Sequence, residues 1–414
     1  MSEPVFAAVA SPYIIQSRGR GIRRLADACL LKALSLVLKR ARSGRLHLRL
    51  PSGLSAIIGA GEGVEARLAI KRYSATLKLI NRGLLGFADA FINEDVETDD
   101  LRAVFQYFLD NETAITSRLP QLMRSAGRDV AYHASRHNTR SGSQRNIAAH
   151  YDLGNAFYEL WLDAGMSYSS GIYRQPGATL EEAQAAKHAR IIEALGLEAG
   201  QAVLEIGCGW GALAEEIAAQ GAHVTAITIS EQQLEASRRR LAPIIDAGRA
   251  DVRFEDYRDT RGSFDRIASI EMIEAVGEEN WPTYFRTIHE RLKPGGCAVV
   301  QAITIREDLY EPYRRNPDFI QRYIFPGGML PSIPRMRAHA EQSGLVFSEI
   351  ERFGDSYAQT IAEWRRRFIA AWPRIEALGF DERFRRTWLY YLDYCEVGFR
   401  NRTIDVGLYR FERT

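Results

Sequence analysis

Cysteine is scarce in this chain: four in 414 residues, at Cys29, Cys208, Cys297 and Cys395. They are too scattered for a disulfide framework and no pair has zinc-like spacing, so no metal is expected and a reducing cytoplasm fits. Long apolar runs are missing as well. The most apolar stretch, residues 25–38, is short and broken by Asp27 and Lys32, so it is not expected to cross a bilayer. The N-terminus lacks the charged start, apolar run and cleavage site of a signal peptide. Net charge is only +2, which gives no global attraction to nucleic acid. The excess is local. Residues 18–49 are strongly basic with Asp27 as their one acid, and residues 118–145 repeat the bias around Asp129. Such patches suit an anionic membrane surface, met peripherally from the inner face.

Length and an ordinary apolar fraction of 46% leave room for two domains with a substantial core. Residues 21–42 read as a helix with basic ends. Period-two alternation at 45–50 and short runs at 55–58 and 65–70 read as strands. Residues 75–111 return to helical patterning, with Asp99 and Asp100 placed to start a helix at Leu101. This makes residues 1–125 a small α+β domain on the lipid side. Residues 126–145, Ser/Arg-rich, are expected to be a linker and mobile approach segment. From 146 onward strands alternate with helices, at 202–206, 223–228, 251–254, 266–270 and 298–302, with a helix at 180–195. That rhythm predicts an α/β, Rossmann-like doubly wound parallel sheet. Residues 306–332 are irregular and read as an inserted cap, and the tail from 357 is dense in aromatics.

The chemistry centres on VLEIGCGWG, residues 203–211. A buried strand runs into Gly207, Gly209 and Gly211, where glycine permits a sharp turn and close ligand approach. The following helix points its N–H groups at the ligand. Glu205 lies two residues before the first glycine. A carboxylate there accepts from an ammonium group and repels a pyrophosphate, which favours S-adenosylmethionine over a dinucleotide. At the end of the second strand stand Thr228, Ser230 and Gln233, neutral groups able to bond ribose hydroxyls. Asp256 follows the third strand as an acceptor for an adenine amino group. Glu271 and Glu274 follow the fourth, at the mouth of the site.

From about His150 onward the chain resembles the cyclopropane fatty acid synthase family, including the mycolic acid cyclopropane synthases. The motifs are HYDLGN, MSYSSGIY, VLEIGCGWG, TISEQQ, EDYRD, MIEAVG, YIFPGGMLPS and FGDSYAQT. A weaker match, GLLGFADAFI, lies in the N-terminal part. The resemblance implies a class I methyltransferase fold that uses S-adenosylmethionine to alkylate the cis double bond of unsaturated acyl chains, usually in membrane phospholipids, and a possible homodimer. It places cofactor contacts at Tyr168, Ser169, Gly207, Gly209, Thr228, Gln233, Asp256 and Ile270. It places the catalytic carboxylate at Glu274 and the catalytic tyrosine at Tyr357. The family holds a bicarbonate as base, and its cradle corresponds to Ser170, Glu274, Gln301, the Ile303 backbone and Tyr357.

The chain departs from that pattern in the cradle. The family's cysteine is Ser170, its two histidines are Gln301 and Ala275, and its common glycine is Glu271. Alkylation leaves a cation that must lose a proton. Loss from the new methyl closes a cyclopropane or, after a hydride shift along the chain, leaves a methylene group; loss from a neighbouring chain carbon gives a methyl-branched alkene. Aromatic faces stabilise the cation, with Tyr168, Tyr323, Phe325 and Tyr357 available. Gln301 cannot take a proton. Glu271 can, and would repel a bicarbonate. The expectation is therefore a cyclopropane synthase-like enzyme in which Glu271 is the base. Two alternatives stand beside it: a methyl-branching or methylene-forming relative, and a non-catalytic lipid-binding homologue.

Overall fold

A computed structural model describes residues 15, 16, 27, 28, 30–32, 34, 41–59, 61–116, 126–151 and 153–414. Most of the helix expected at 21–42, and much of the basic stretch 18–49, lies outside these. The chain divides into two compact units, Met1–Ala126 and Gly127–Thr414.

The first unit is built on a five-stranded sheet. Its strands are β1 (Ile15–Gln16), β2 (Arg45–Arg49), β3 (Ser55–Ile58), β4 (Glu65–Ile70) and β5 (Val96–Glu97), in the order β1-β3-β2-β4-β5. Alternation in β2 buries Leu46 and Leu48 and leaves Arg45 and Arg49 outside. Helix Ser74–Ile92 is broken at Gly83, whose φ of 56° leaves the helical region. Helix Leu101–Asp110 starts where Asp100 caps the amides of Arg102 and Ala103, a contact stabilising by about 1 kcal/mol.

The second unit is a seven-stranded sheet. The strands are β6 (Ala202–Ile206), β7 (His223–Thr228), β8 (Ala250–Phe254), β9 (Phe264–Ile270), β10 (Leu292–Ile305), β11 (Val346–Arg352) and β12 (Ile404–Glu412), in the order β11-β12-β10-β9-β6-β7-β8. From β8 to β10 every pairing is parallel. Such strands are buried on both faces and read as apolar runs; in β6 the run AVLEI admits one acid, Glu205. The core includes Leu204, Ile206, Ile267, Phe285, Val300 and Phe411.

Four features differ from the sequence reading. First, the sheet is not wholly parallel: β12, from the aromatic tail, inserts antiparallel between β10 and β11. Its partner β10 lies about a hundred residues upstream, and no local pattern announces such a pairing. Second, residues 126–145 are not a free linker. Helices Gly127–Ala134 and Arg140–Tyr151 form there. Their polar residues find distant partners: Arg140 with Asp259, Asn138 with the Gly327 carbonyl, and Asp129 with Arg322. Third, the KPGG stretch lies within β10, where the register against β9 shifts between Leu292 and Cys297. Fourth, the cap is partly regular, with helix Glu307–Arg315 and a single π-helical turn at Ile320–Ile324.

Candidate active site

After β6 the chain crosses to β7 on one side; after β9 it crosses to β10 on the other. The crevice beyond the carboxyl ends of β6 and β9 is the switch point where such sheets bind ligands. The glycine loop forms one wall. Gly207 has φ +80°, and a Cβ there would lie 2.6 Å from Met272 Cγ, so this glycine lets the two loops touch. Gly209 has φ +54° and a Cβ there would meet nothing within 4 Å. That is open space above the loop.

Glu205 sits below this loop. It is buried, and its Oε2 has no hydrogen-bond partner. Burial pushes its carboxyl up to about 8, opposed by the Lys187 ammonium. An orphaned buried carboxyl fits the ammonium end of S-adenosylmethionine and would not tolerate a phosphate. At the end of β7, Thr228 donates to the Gln233 carbonyl at 2.9 Å, so the Gln233 amide nitrogen is the end available to a ribose oxygen. Ser230 caps the next helix at the Gln233 amide. Asp256 is gripped by the Arg258 guanidinium at 2.8 and 2.6 Å, and Arg258 also reaches the Asn138 carbonyl. Arg258 thus fixes the orientation of the Asp256 carboxylate just past β8.

The second cluster lies across the crevice. Ile270 ends β9 opposite Gln301 of β10. The next residue, Glu271, adopts φ +49°, a left-handed conformation unusual for a non-glycine residue. This turns its carboxylate inward. Oε1 accepts from the Ser170 amide at 3.0 Å and from the Gln301 side chain at 2.7 Å. Oε2 accepts from the Tyr357 hydroxyl at 2.6 Å. The carboxylate thus fills the middle of a cradle made by Ser170, Gln301 and Tyr357. The Ser170 hydroxyl turns away and donates to the Gly171 carbonyl.

Glu274 stands one turn on. The Ile303 amide donates to its Oε1, while Oε2 is buried and unpartnered. Burial, and then the Glu271 charge, push it up to about 8. Burial also raises Glu271, against the hydrogen bonds of Tyr357, Ser170 and Gln301. Both residues keep some accessible surface. They line the inside of a cleft rather than face bulk water. Glu271, with three donors on its carboxylate against one on Glu274, is the better stabilised of the two as an anion.

Aromatic rings wall the cleft. Tyr357 packs on Phe399 at 4.4 Å, Tyr168 on Trp364 at 5.2 Å, and the Tyr168 and Tyr391 hydroxyls meet at 3.0 Å. Phe325 reaches Tyr391 at 6.5 Å. Tyr323 instead packs on Phe319 in the cap, with the Arg322 guanidinium over its ring. Three residues here are absent from the sequence reading: Trp364 and Tyr391, placed by tail helices, and Lys187. Lys187 is buried and donates to Ser169 Oγ at 2.9 Å. Its helix, Leu180–Leu195, looks amphipathic, and a lysine there reads as solvated.

The Glu205 environment predicts a pH dependence. The free site holds Glu205 protonated below about 8, and pairing with an ammonium ionises it. Cofactor binding at pH 7 should therefore release close to one proton, and affinity should rise as pH approaches about 8, above which the cofactor's own α-ammonium deprotonates and affinity falls. Calorimetry in buffers of different ionisation enthalpy measures this; a buffer-independent heat would contradict it.

Comparison with known proteins agrees with the geometry. Residues 138–409 match the mycolic acid cyclopropane synthetase family. The chain is 35% identical over 378 residues to tuberculostearic acid methyltransferase UfaA1 of Mycobacterium tuberculosis, covering 89% of this chain and 88% of that one. It is 35% identical to cyclopropane-fatty-acyl-phospholipid synthase of Escherichia coli, over 84% of this chain and 88% of that one. Among solved structures, mycolic acid cyclopropane synthase CmaA1 complexed with SAH and CTAB superimposes with a TM-score of 0.61 at 30% identity, over 65% of this chain and 98% of that one.

Proposed function

The chain belongs to the mycolic acid cyclopropane synthetase family and is an S-adenosylmethionine-dependent methyltransferase acting on lipid acyl chains; from that premise we propose that it methylates the cis double bond of phospholipid acyl chains with Glu271 as the base. One observation carries this reading. The carboxylate of Glu271 occupies the cradle of Ser170, Gln301 and Tyr357. It takes up the donors that a bicarbonate would need there, and its charge would repel one.

When bound, the cofactor supplies an electrophilic methyl group. Glu205 and the glycine loop would hold it, with Thr228 and Gln233 at the ribose. Methylation of the alkene would leave a cation that the ring faces of Tyr168 and Tyr357 can stabilise. Glu271 accepts the proton, and the electrons of that C–H bond restore a neutral chain. We propose that this base, held on the backbone just past β9, takes the proton from a neighbouring chain carbon, which gives a methyl-branched chain in place of, or beside, a cyclopropane. Glu274 accepts from the Ile303 amide through Oε1 and keeps Oε2 unpartnered for the substrate. Purified enzyme with vesicles of monounsaturated phospholipid tests the activity: the acyl chains should gain one carbon, and unchanged chains would refute it.

The enzyme meets its substrate peripherally, at an anionic membrane surface on the cytoplasmic side. Among the described residues no helix is long and apolar enough to cross a membrane. In the first unit, helix Ser74–Ile92 exposes Leu77, Ile80 and Leu84 at helical spacing. Together with the basic residues of 18–49 they supply apolar and electrostatic attraction, the latter about 1 kcal/mol per near-surface charge. Vesicle sedimentation should show binding to anionic lipid that weakens with salt. Equal binding to neutral and anionic vesicles at low salt would contradict it.

A further inference from the structure

Helix Leu180–Leu195 presses one face against the segment that carries Tyr168, Ser169 and Ser170. From that face Gln184 donates to the Ser167 and Ser169 carbonyls at 3.4 and 2.9 Å, and one turn later Lys187 donates to the Ser169 hydroxyl at 2.9 Å. The Ser170 amide then donates to Glu271. Lys187 is 1% exposed. A lysine so deeply buried is rare without an opposite charge to answer it, and the hydroxyl it bonds is neutral.

Burial pulls the Lys187 ammonium down to about 8, and four acids oppose this: Glu271 most strongly, then Asp163, Glu216 and Glu205. Two of them are engaged elsewhere. Asp163 accepts from the Gly165 and Ser167 amides, and Glu216 meets His188 Nδ1 at 2.7 Å. Glu205 awaits the cofactor's ammonium. Glu271 remains as the carboxylate whose charge Lys187 answers. Around Glu271 the other groups are neutral or acidic: Tyr357 and Tyr391 from the tail helices, Gln301 from β10, and Glu274 one turn on.

We propose that Lys187 is a positioning residue for the methylation. Its hydrogen bond holds the Ser169–Ser170 turn, whose amide donates to the Glu271 carboxylate, and its buried ammonium brings a positive charge to the same side of the site. The inference rests on Glu271 being the base. It gives a purpose to burying the lysine: the neighbouring elements offer Glu271 neutral donors and further acids, and Lys187 adds a positive charge that opposes the effect of burial.

Three variants test this through the pH dependence of kcat on monounsaturated phospholipid vesicles. Lys187→Gln keeps a donor and removes the charge; Lys187→Met removes both. Each should shift the rising limb of the profile to higher pH by about one unit, so that kcat at pH 7 falls about ten-fold and recovers in alkali. Lys187→Arg keeps the charge and should keep the wild-type profile even where kcat is reduced. Profiles of Gln and Met variants that superimpose on wild type overturn the inference. If those two do not fold, infrared titration of the wild type decides: the carboxylate band absent from Glu271→Gln should be ionised at pH 7, and a protonated group there overturns the inference. Glu271→Gln separates the two ideas. Full activity in that variant removes the base reading itself, whereas an inactive Glu271→Gln with unshifted lysine variants removes only the role of Lys187.

Discussion

Replacing Glu271 by glutamine is expected to lower turnover by about 10²–10⁴-fold, the usual contribution of a general base, while cofactor binding persists. The substitution keeps the shape, and the amide oxygen still accepts from the cradle. Only the proton acceptor is lost. The replacement by glycine is more informative. Glu271 holds φ +49°, a conformation that costs a non-glycine residue roughly 1–2 kcal/mol, so Glu271→Gly removes strain and empties the cradle together. The Ser170 amide, Gln301 and Tyr357 then face a space the size of a small oxyanion. Added bicarbonate should restore part of the turnover in Glu271→Gly and leave the wild type unchanged. Steady-state rates with and without bicarbonate measure both. A wild-type rate that climbs steeply with bicarbonate, or full activity in Glu271→Gln, would return the proton to bicarbonate.

Gly209→Val should abolish S-adenosylmethionine binding and leave the protein folded. The Cβ of a residue at 209 would point into space with no atom within 4 Å, the path of the ligand over the loop. The backbone cost at φ +54° is again roughly 1–2 kcal/mol, well below the 5–15 kcal/mol typical of a folded domain. Gly207 would be a poorer choice, because a side chain there strikes Met272 at 2.6 Å and disturbs the fold as well as the site. Calorimetric titration with the cofactor, beside a thermal melt, separates the two effects. Near-normal binding by Gly209→Val would remove the basis for the whole site.

Much of this was legible in the chain because it is local. Strands β6 and β7 declare themselves as buried apolar runs, and Glu205 stands out as the one acid in such a run. Helix Leu180–Leu195 announces its start with Thr179 and Glu182, which form a capping box. What was not legible depends on distance. Strand β12 pairs with β10 across a long stretch of chain. The Ser/Arg-rich residues 126–145 have linker composition, yet Arg258 and Asp259 satisfy them from the far side of the sheet. Glu271 could be suspected as an extra carboxylate, but its left-handed backbone, which aims the carboxylate into the cradle, is set by the β9–β10 pairing. Lys187 shows nothing in sequence, because its burial follows from the segment packed on its helix.

The most direct test follows the hydrogens of the transferred methyl group. Wild-type enzyme is given monounsaturated phospholipid and cofactor carrying a fully deuterated methyl, and the product acyl chains are analysed by mass spectrometry. If Glu271 removes a proton from the acyl chain, the new branch keeps all of its deuterium and the chain remains unsaturated. Loss of one deuteron from the transferred group, with closure of a cyclopropane ring, would show that the proton leaves the methyl and would contradict the account.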